Sequence, residues 1–189
     1  METQVIQQIK MNIDQYITEF EIAAQQTIAA MPQKYTLRKK SVERMLSKEK
    51  LKSLMSEHGD VAHARLINDS FGHPMDTRWI FGVNSQRPDF AKQKIEGFKR
   101  SGVYGYPPNT YCGWHTNSNN EGERTYIIYA DEDNKSFFRY YDEEKDEVVT
   151  KWEKKGININ KFTISKEKPL WHCAGSFCNR ISVGFNKIL

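Results

Sequence analysis

The residues able to do chemistry in this chain cluster in its last third. His115-Thr116-Asn117 comes first, His172 lies 57 residues further on, and Arg180-Ile181-Ser182 begins 8 residues after that. Two neutral imidazoles on separate strands can bind one divalent metal ion, and a facial set of three protein ligands leaves three positions open for small molecules. In a strand, residues i and i+2 face the same way. His115 and Asn117 are therefore expected to point together, with Thr116 opposed. Arg180 and Ser182 should share a face, away from Ile181, Val183 and Phe185. An arginine on an inward face needs an anionic partner, because an unpaired buried charge is very unfavourable. Its planar fork matches a carboxylate bidentately, and a serine two residues on can bond the same anion. These residues predict a metal held by His115 and His172, with Asn117 as candidate third ligand and a carboxylate site at Arg180 and Ser182.

Such a site needs strands, and the pattern from about residue 101 supplies them. Candidate strands lie near 110–116, 124–130, 136–141, 146–151, 157–164, 169–173 and 180–186. Several short strands at this spacing suggest a sandwich or barrel. The preceding residues read as helix. Apolar residues recur at helical spacing over 3–30, and Pro32 stops them. A second helix is expected from about Ser41 to His58 with Gly59 as C-cap, and a short one over Pro88–Lys99 with its proline in the first turn. The expected division is a helical region at 1–99 packing on a β core at 100–189, together one structural unit.

Bulk properties narrow the function classes. The chain has 189 residues, 38% hydrophobic and 28% charged, with aromatics at 12%, which suits a soluble β-rich core. No apolar run reaches membrane-spanning length and no signal peptide is apparent, so no membrane partner is expected. Three cysteines, Cys112, Cys173 and Cys178, fit buried thiols in a reducing cytoplasm. The net charge of +4 conceals an asymmetry: residues 34–52 hold eight Lys/Arg against two Glu. A nucleic-acid partner is one reading of that segment, and a solvated helix face is the simpler one. The acidic run at 142–147 reads as a solvated hairpin turn. His58, His63 and His73 read as surface or loop residues, and Trp114 and Trp171 as core residues facing away from the metal.

The run Tyr106-Pro-Pro-Asn-Thr-Tyr-Cys-Gly-Trp-His115 resembles the strand that leads to the first metal ligand in the Fe(II)/2-oxoglutarate-dependent dioxygenase superfamily, near its small prolyl-4-hydroxylase-like members. Arg124-Thr-Tyr-Ile-Ile-Tyr129, Ser136-Phe-Phe-Arg-Tyr140, Gly156-Ile-Asn-Ile-Asn-Lys-Phe162, Leu170-Trp-His172 and Arg180-Ile-Ser182 continue the resemblance in order over about residues 100–187. It implies a mainly β fold, a double-stranded β-helix or jelly roll with an N-terminal helical extension. It also implies Fe(II) at His115 and His172, 2-oxoglutarate anchored by Arg180 and Ser182, and O2 as co-reactant. Hydroxylation of a C–H bond in a small-molecule or peptide substrate would accompany conversion of 2-oxoglutarate to succinate and CO2. Tyr104, Tyr106, Tyr111 and Tyr126 are candidates to line the pocket, with Tyr126 counted among the cosubstrate-binding residues.

One position departs from the family pattern: His-x-Asp reads His-x-Asn here. An amide oxygen is neutral and a poorer ligand than a carboxylate. Asn117 can coordinate through its oxygen, Glu121 or Glu123 can substitute, the position can admit an anion such as chloride, or the site can bind without turning over. Beside the oxygenase reading stand a catalytically inactive jelly-roll binding protein and a nucleic-acid-binding protein using residues 34–52.

Overall fold

The computed structural model describes residues 12–31, 37–59, 74–81, 88–118 and 120–188. His63, His73, Pro32 and the first part of the expected 3–30 helix lie outside the described residues. Helix α1 spans Ile13–Ala29, and Asn12 caps it by accepting from the Gln15 N–H at 2.9 Å. The expected single helix over 41–58 is two: α2 at Lys39–Met45 and α3 at Lys48–His58, with Gly59 at the C-cap as expected. The break is stabilised on both sides. The Ser47 hydroxyl accepts from Lys50 N–H to start α3, while Arg139 and Trp114 donate to the Leu46 and Ser47 carbonyls at 2.8 and 3.1 Å. Arg139 thus takes the Leu46 carbonyl that a continuous helix would have given to the Lys50 N–H, while the Ser47 carbonyl also keeps its helical bond from the Leu51 N–H at 3.1 Å. At Pro88–Lys99 the expected helix is only a 3-10 turn at Asp89–Ala91. Gly97 then adopts a positive φ of 76° and Phe98 enters a strand.

Among the described residues nine strands follow in chain order: β1 Trp79–Ile80, β2 Phe98–Tyr106, β3 Thr110–His115, β4 Gly122–Ala130, β5 Ser136–Asp142, β6 Glu147–Trp152, β7 Gly156–Ile164, β8 His172–Ser176 and β9 Arg180–Lys187. They form two antiparallel sheets in the orders β1-β2-β9-β4-β7 and β3-β8-β5-β6. Setting aside the short edge strand β1, eight strands share two four-stranded sheets, and the chain repeatedly crosses from one to the other. This is the jelly-roll arrangement. Strand β2 is absent from the candidate strands above. Its sequence, Phe-Lys-Arg-Ser-Gly-Val-Tyr-Gly-Tyr, has two glycines and three polar residues, and pairing with β9 overrides that weak local preference. Strand β8 begins three residues later than expected, so His172 opens the strand. Both β1 and the start of β2 precede residue 100, so the N-terminal part contributes strand as well as helix.

The two large apolar clusters lie outside the sheets. One joins Tyr16, Phe20 and Ala24 of α1 to Ile127, Tyr129, Ile181, Val183 and Phe185 on the outer face of the five-stranded sheet. The other joins α2 and α3 to Tyr111, Trp114, Phe137, Trp171 and Cys173 on the outer face of the four-stranded sheet. Trp114 and Trp171 are core residues, as expected, and Ile181, Val183 and Phe185 face away from Arg180 and Ser182. The basic helices carry part of their charge in ion pairs, with Lys39 on Glu43 and both Lys48 and Lys52 on Asp146. No helix among the described residues is long and apolar enough to cross a membrane.

Close packing at one glycine prepares the site. A Cβ at Gly113 would lie 2.5 Å from the Met75 Cε and 2.7 Å from the Met75 carbonyl oxygen, and the Gly113 N–H already donates to that carbonyl. The backbone oxygen cannot move aside as a side-chain end could. Gly113→Ala is expected to destabilise the fold by about 1–3 kcal/mol in urea unfolding; an unchanged midpoint would contradict this packing.

Candidate metal and anion site

The first histidine reaches the interior through an irregularity in β3. Cys112 pairs with Ala174 and His115 with His172, so β3 spends three steps where β8 spends two. That extra residue is a β-bulge. Strict alternation from the inward Cys112 would point Trp114 inward and His115 outward. The bulge reverses both: Trp114 joins the outer core and His115 faces the space between the sheets.

The two imidazoles sit side by side, with ring centroids 4.2 Å apart. His115 Nδ1 lies 2.7 Å from the Gly113 carbonyl oxygen, and His172 Nδ1 lies 2.8 Å from that of Leu170. A carbonyl only accepts, so each Nδ1 carries the proton and each Nε2 keeps a lone pair. Metal-binding histidines are held in this way, by a backbone carbonyl that fixes tautomer and ring orientation. His172 is wedged further by the rings of Phe138 and Phe162, with centroids at 5.6 and 5.2 Å.

Asn117 joins the pair by a route other than strand alternation. Strand β3 ends at His115, and Asn117 lies in the following loop with φ of 55°, a left-handed conformation that asparagine tolerates better than most residues. Its Nδ2 lies 3.3 Å from His172 Nε2 and can donate to that lone pair. Turning the amide over would present Oδ1 in the same place. The donor set fits a divalent cation as two imidazoles and one amide oxygen, all neutral. Glu121 and Glu123 do not complete it. Glu121 accepts from the Lys166 N–H at 2.7 Å and Glu123 pairs with Lys187 at 3.0 Å, both toward solvent. Among the described residues, no group of three or more His, Cys, Asp and Glu is placed to hold a metal.

The histidines open on a cavity of about 180 Å³ between the sheets. Arg78, Arg124 and Arg180 line it, no Asp or Glu among the described residues does, and Tyr104, Tyr106 and Tyr126 complete much of the wall. Burial pushes the Tyr126 hydroxyl up to about 12, so it stays protonated at neutral pH and can donate. Tyr111 is not part of this wall. It faces the outer core, where its hydroxyl donates to the Pro74 carbonyl.

Arg180 has an internal partner that the sequence did not reveal. Its Nε and Nη2 donate to Glu153 at 2.7 and 2.9 Å, and Ser136 donates to the same carboxylate at 2.6 Å. Both charged side chains are almost wholly buried, at 1% and 3% exposure. Burial alone would disfavour the guanidinium charge, but Glu153 outweighs it and pushes the Arg180 pKa up. The Tyr106 ring lies 4.4 Å from the guanidinium carbon, and Nη1 has no hydrogen-bond partner among the described residues. Ser182 shares the inward face with Arg180, as the alternation predicts, and also lines the cavity.

Arg78, Arg124 and Glu153 are the site-shaping residues that the sequence reading missed. Arg78, paired with Asp76 and stacked 3.8 Å over Tyr104, lies in a stretch without periodicity. Arg124 was visible in principle, since it stands two residues before Tyr126 on β4. Glu153 lies just past the end of β6, where no pattern marked it.

Removing one member of the Arg180–Glu153 pair should leave a buried charge alone. Arg180→Met is expected to destabilise the protein by about 3–5 kcal/mol in urea unfolding, and Arg180→Met with Glu153→Gln should recover most of that loss. Equal stability of Arg180→Met and the unaltered protein would mean that the pair does not form.

No family model matches this chain, and no curated protein matches it. Solved structures show low-level similarity. Oxalate oxidase in complex with glycolate is 13% identical with a TM-score of 0.38, the match covering 70% of this chain and 63% of that one. CapF with the inhibitor 3-isopropenyl-tropolone is 11% identical with a TM-score of 0.35, over 51% of this chain and 27% of that one. Peruvianin-I, a cysteine peptidase from Thevetia peruviana latex, is 15% identical with a TM-score of 0.33, over 48% and 51%. The chain therefore spans about two-thirds or less of each of these proteins. The likeness is too slight to transfer an activity.

Proposed function

We propose that this protein is an Fe(II)- and 2-oxoglutarate-dependent oxygenase acting on a small-molecule or peptide substrate. The observation that carries the reading is the pair of imidazoles at the end of β3 and the start of β8. Their Nδ1 atoms are pinned to backbone carbonyls and their Nε2 atoms face a cavity lined by arginines. Bound Fe(II) would supply activation of O2, coupled to conversion of 2-oxoglutarate to succinate and CO2.

The chain's own residues have separable tasks. His115 and His172 present lone pairs in fixed directions, so little orientational freedom is lost on metal binding. Asn117 must turn its amide from donor to acceptor, giving up its contact with His172. Because the proposed protein ligands are all neutral, the cosubstrate carboxylate would supply anionic charge to a bound metal. At the far end of the cavity, Arg180 offers Nη1 and Ser182 its hydroxyl to the distal carboxylate, while Glu153 fixes the other two guanidinium nitrogens. The Tyr126 hydroxyl remains a donor to a cosubstrate oxygen. Paired and stacked aromatic walls limit water around these groups.

Anaerobic addition of Fe(II) and 2-oxoglutarate should give a weak visible charge-transfer band, and succinate should form when air is admitted. His115→Ala and His172→Ala should each lose stoichiometric iron under limiting Fe(II), with the fold retained. Absence of the band with unaltered protein would remove 2-oxoglutarate from the account, and an intact iron content in either variant would remove that histidine. A neutral donor set makes a further prediction. Asn117→Asp should tighten Fe(II) binding on the order of tenfold, about 1.4 kcal/mol, while Glu121→Gln and Glu123→Gln leave it unchanged. A loss in either glutamine variant would identify a recruited carboxylate instead.

A further inference from the structure

Three arginines line the cavity, and two of them carry their own carboxylates: Asp76 for Arg78 and Glu153 for Arg180. Arg124 has none. It is 4% exposed, and among the described residues its Nη2 donates only to the Asn120 carbonyl and its buried Nη1 has no partner. Burial lowers its pKa, so the guanidinium is held in a place that disfavours its charge. Arginine does not release its proton at neutral pH, and a buried cation of this kind calls for an anion.

Buried polar atoms beside Arg124 also lack partners among the described residues, a donor on Asn160 (Nδ2) that suits an anion and an acceptor on Asn186 (Oδ1) that does not. On the five-stranded sheet Arg124 stands between Phe162 of β7 and Asn186 of β9, and Tyr126, two residues on, is paired with Asn160. Phe162 packs edge-on against Tyr126 at 5.1 Å and lies 5.2 Å from the His172 ring, which puts this end of the cavity at the histidines. Arg180 is at the other end. It pairs with Ala130, six residues beyond Arg124 on β4, so about 20 Å of strand separates the two backbones.

We propose that Arg124 is a second anion-binding residue beside the histidine pair, receiving the carboxylate of a small carboxylic-acid substrate while Arg180 serves the cosubstrate. The division between substrate and cosubstrate rests on the function proposed above. The binding of a carboxylate at Arg124 does not. A free guanidinium edge accepts a planar carboxylate in a charge-assisted hydrogen bond, and Asn160 can donate to the same group if it turns toward the ligand. The small cavity restricts the acid to a compact molecule.

Benzoate is a suitable probe, with benzamide as its neutral counterpart and inorganic phosphate as a test of anion class. Titration calorimetry without metal or 2-oxoglutarate should show benzoate binding at least tenfold tighter than benzamide or phosphate. Arg124→Met should weaken benzoate at least tenfold. Mn(II)-supported binding of 2-oxoglutarate to that variant should stay within about twofold of the unaltered protein. Arg124→Gln provides the same neutralisation if the Met variant does not fold. Equal binding of benzoate and benzamide, tighter binding of phosphate, or undiminished benzoate binding in the neutral variants would overturn the proposal. So would loss of 2-oxoglutarate binding in those variants, which would make Arg124 the cosubstrate anchor. If 2-oxoglutarate fails to bind even the unaltered protein while benzoate still requires Arg124, the carboxylate site stands and the oxygenase reading falls.

Discussion

The arrangement depends on where the apolar surface is hidden. A β-sandwich commonly buries its main core between its sheets. Here the large clusters lie on the outer faces, under α1 on one side and under α2 and α3 on the other. The apolar cluster between the sheets is small, Tyr106, Cys112, Ala174 and the partly buried Tyr104, with the rings of Phe138 and Phe162 beside His172. Because the helices supply the hydrophobic burial, the inner faces are free to carry three arginines, two histidines and several tyrosines. The helices are in that sense part of the site, although they touch none of its chemistry.

A polar interior must balance its charges, and the structure does so unevenly. Arg78 and Arg180 are neutralised within the chain, and Ser136 secures the Glu153 carboxylate that holds Arg180. These pairs contribute little net stability, since desolvation offsets their attraction, but they fix the guanidinium planes. The histidines are fixed with no charge at all, by donation to Gly113 and Leu170. What remains unbalanced is cationic: Arg124, and any metal ion that the imidazoles take up. Small anions would meet both deficits, in keeping with the proposed site for a 2-oxo acid.

The sequence made the strand-borne part of this site legible and the loop-borne part obscure. Alternation alone placed Arg180 and Ser182 on one face of β9 and Ile181, Val183 and Phe185 on the other. It set Trp114 and Trp171 against the outer core by assuming a regular strand through His115, whereas a bulge at the end of β3 is what turns His115 inward. A bulge has no periodic signature, and neither does the left-handed backbone that brings Asn117 back to His172. Glu153 was invisible for a related reason, because its partner Arg180 is remote in sequence and only the jelly-roll crossing brings them together. The helix over 41–58 was divided where Arg139 takes the Leu46 carbonyl and the Ser47 hydroxyl caps α3, and β2 was formed by its neighbour β9. In each case tertiary contact outweighed local pattern.

His115 and His172 are proposed to bind one metal ion through their Nε2 atoms with no protein carboxylate. X-ray absorption at the iron edge of the Fe(II)-loaded protein tests it most directly, because multiple scattering from imidazole rings counts them. Two imidazoles per iron are expected in the unaltered protein, with the rest of the shell made of oxygen ligands, and one imidazole in His172→Ala when iron is supplied in excess. A spectrum without imidazole scattering, or one unchanged in His172→Ala, would contradict it.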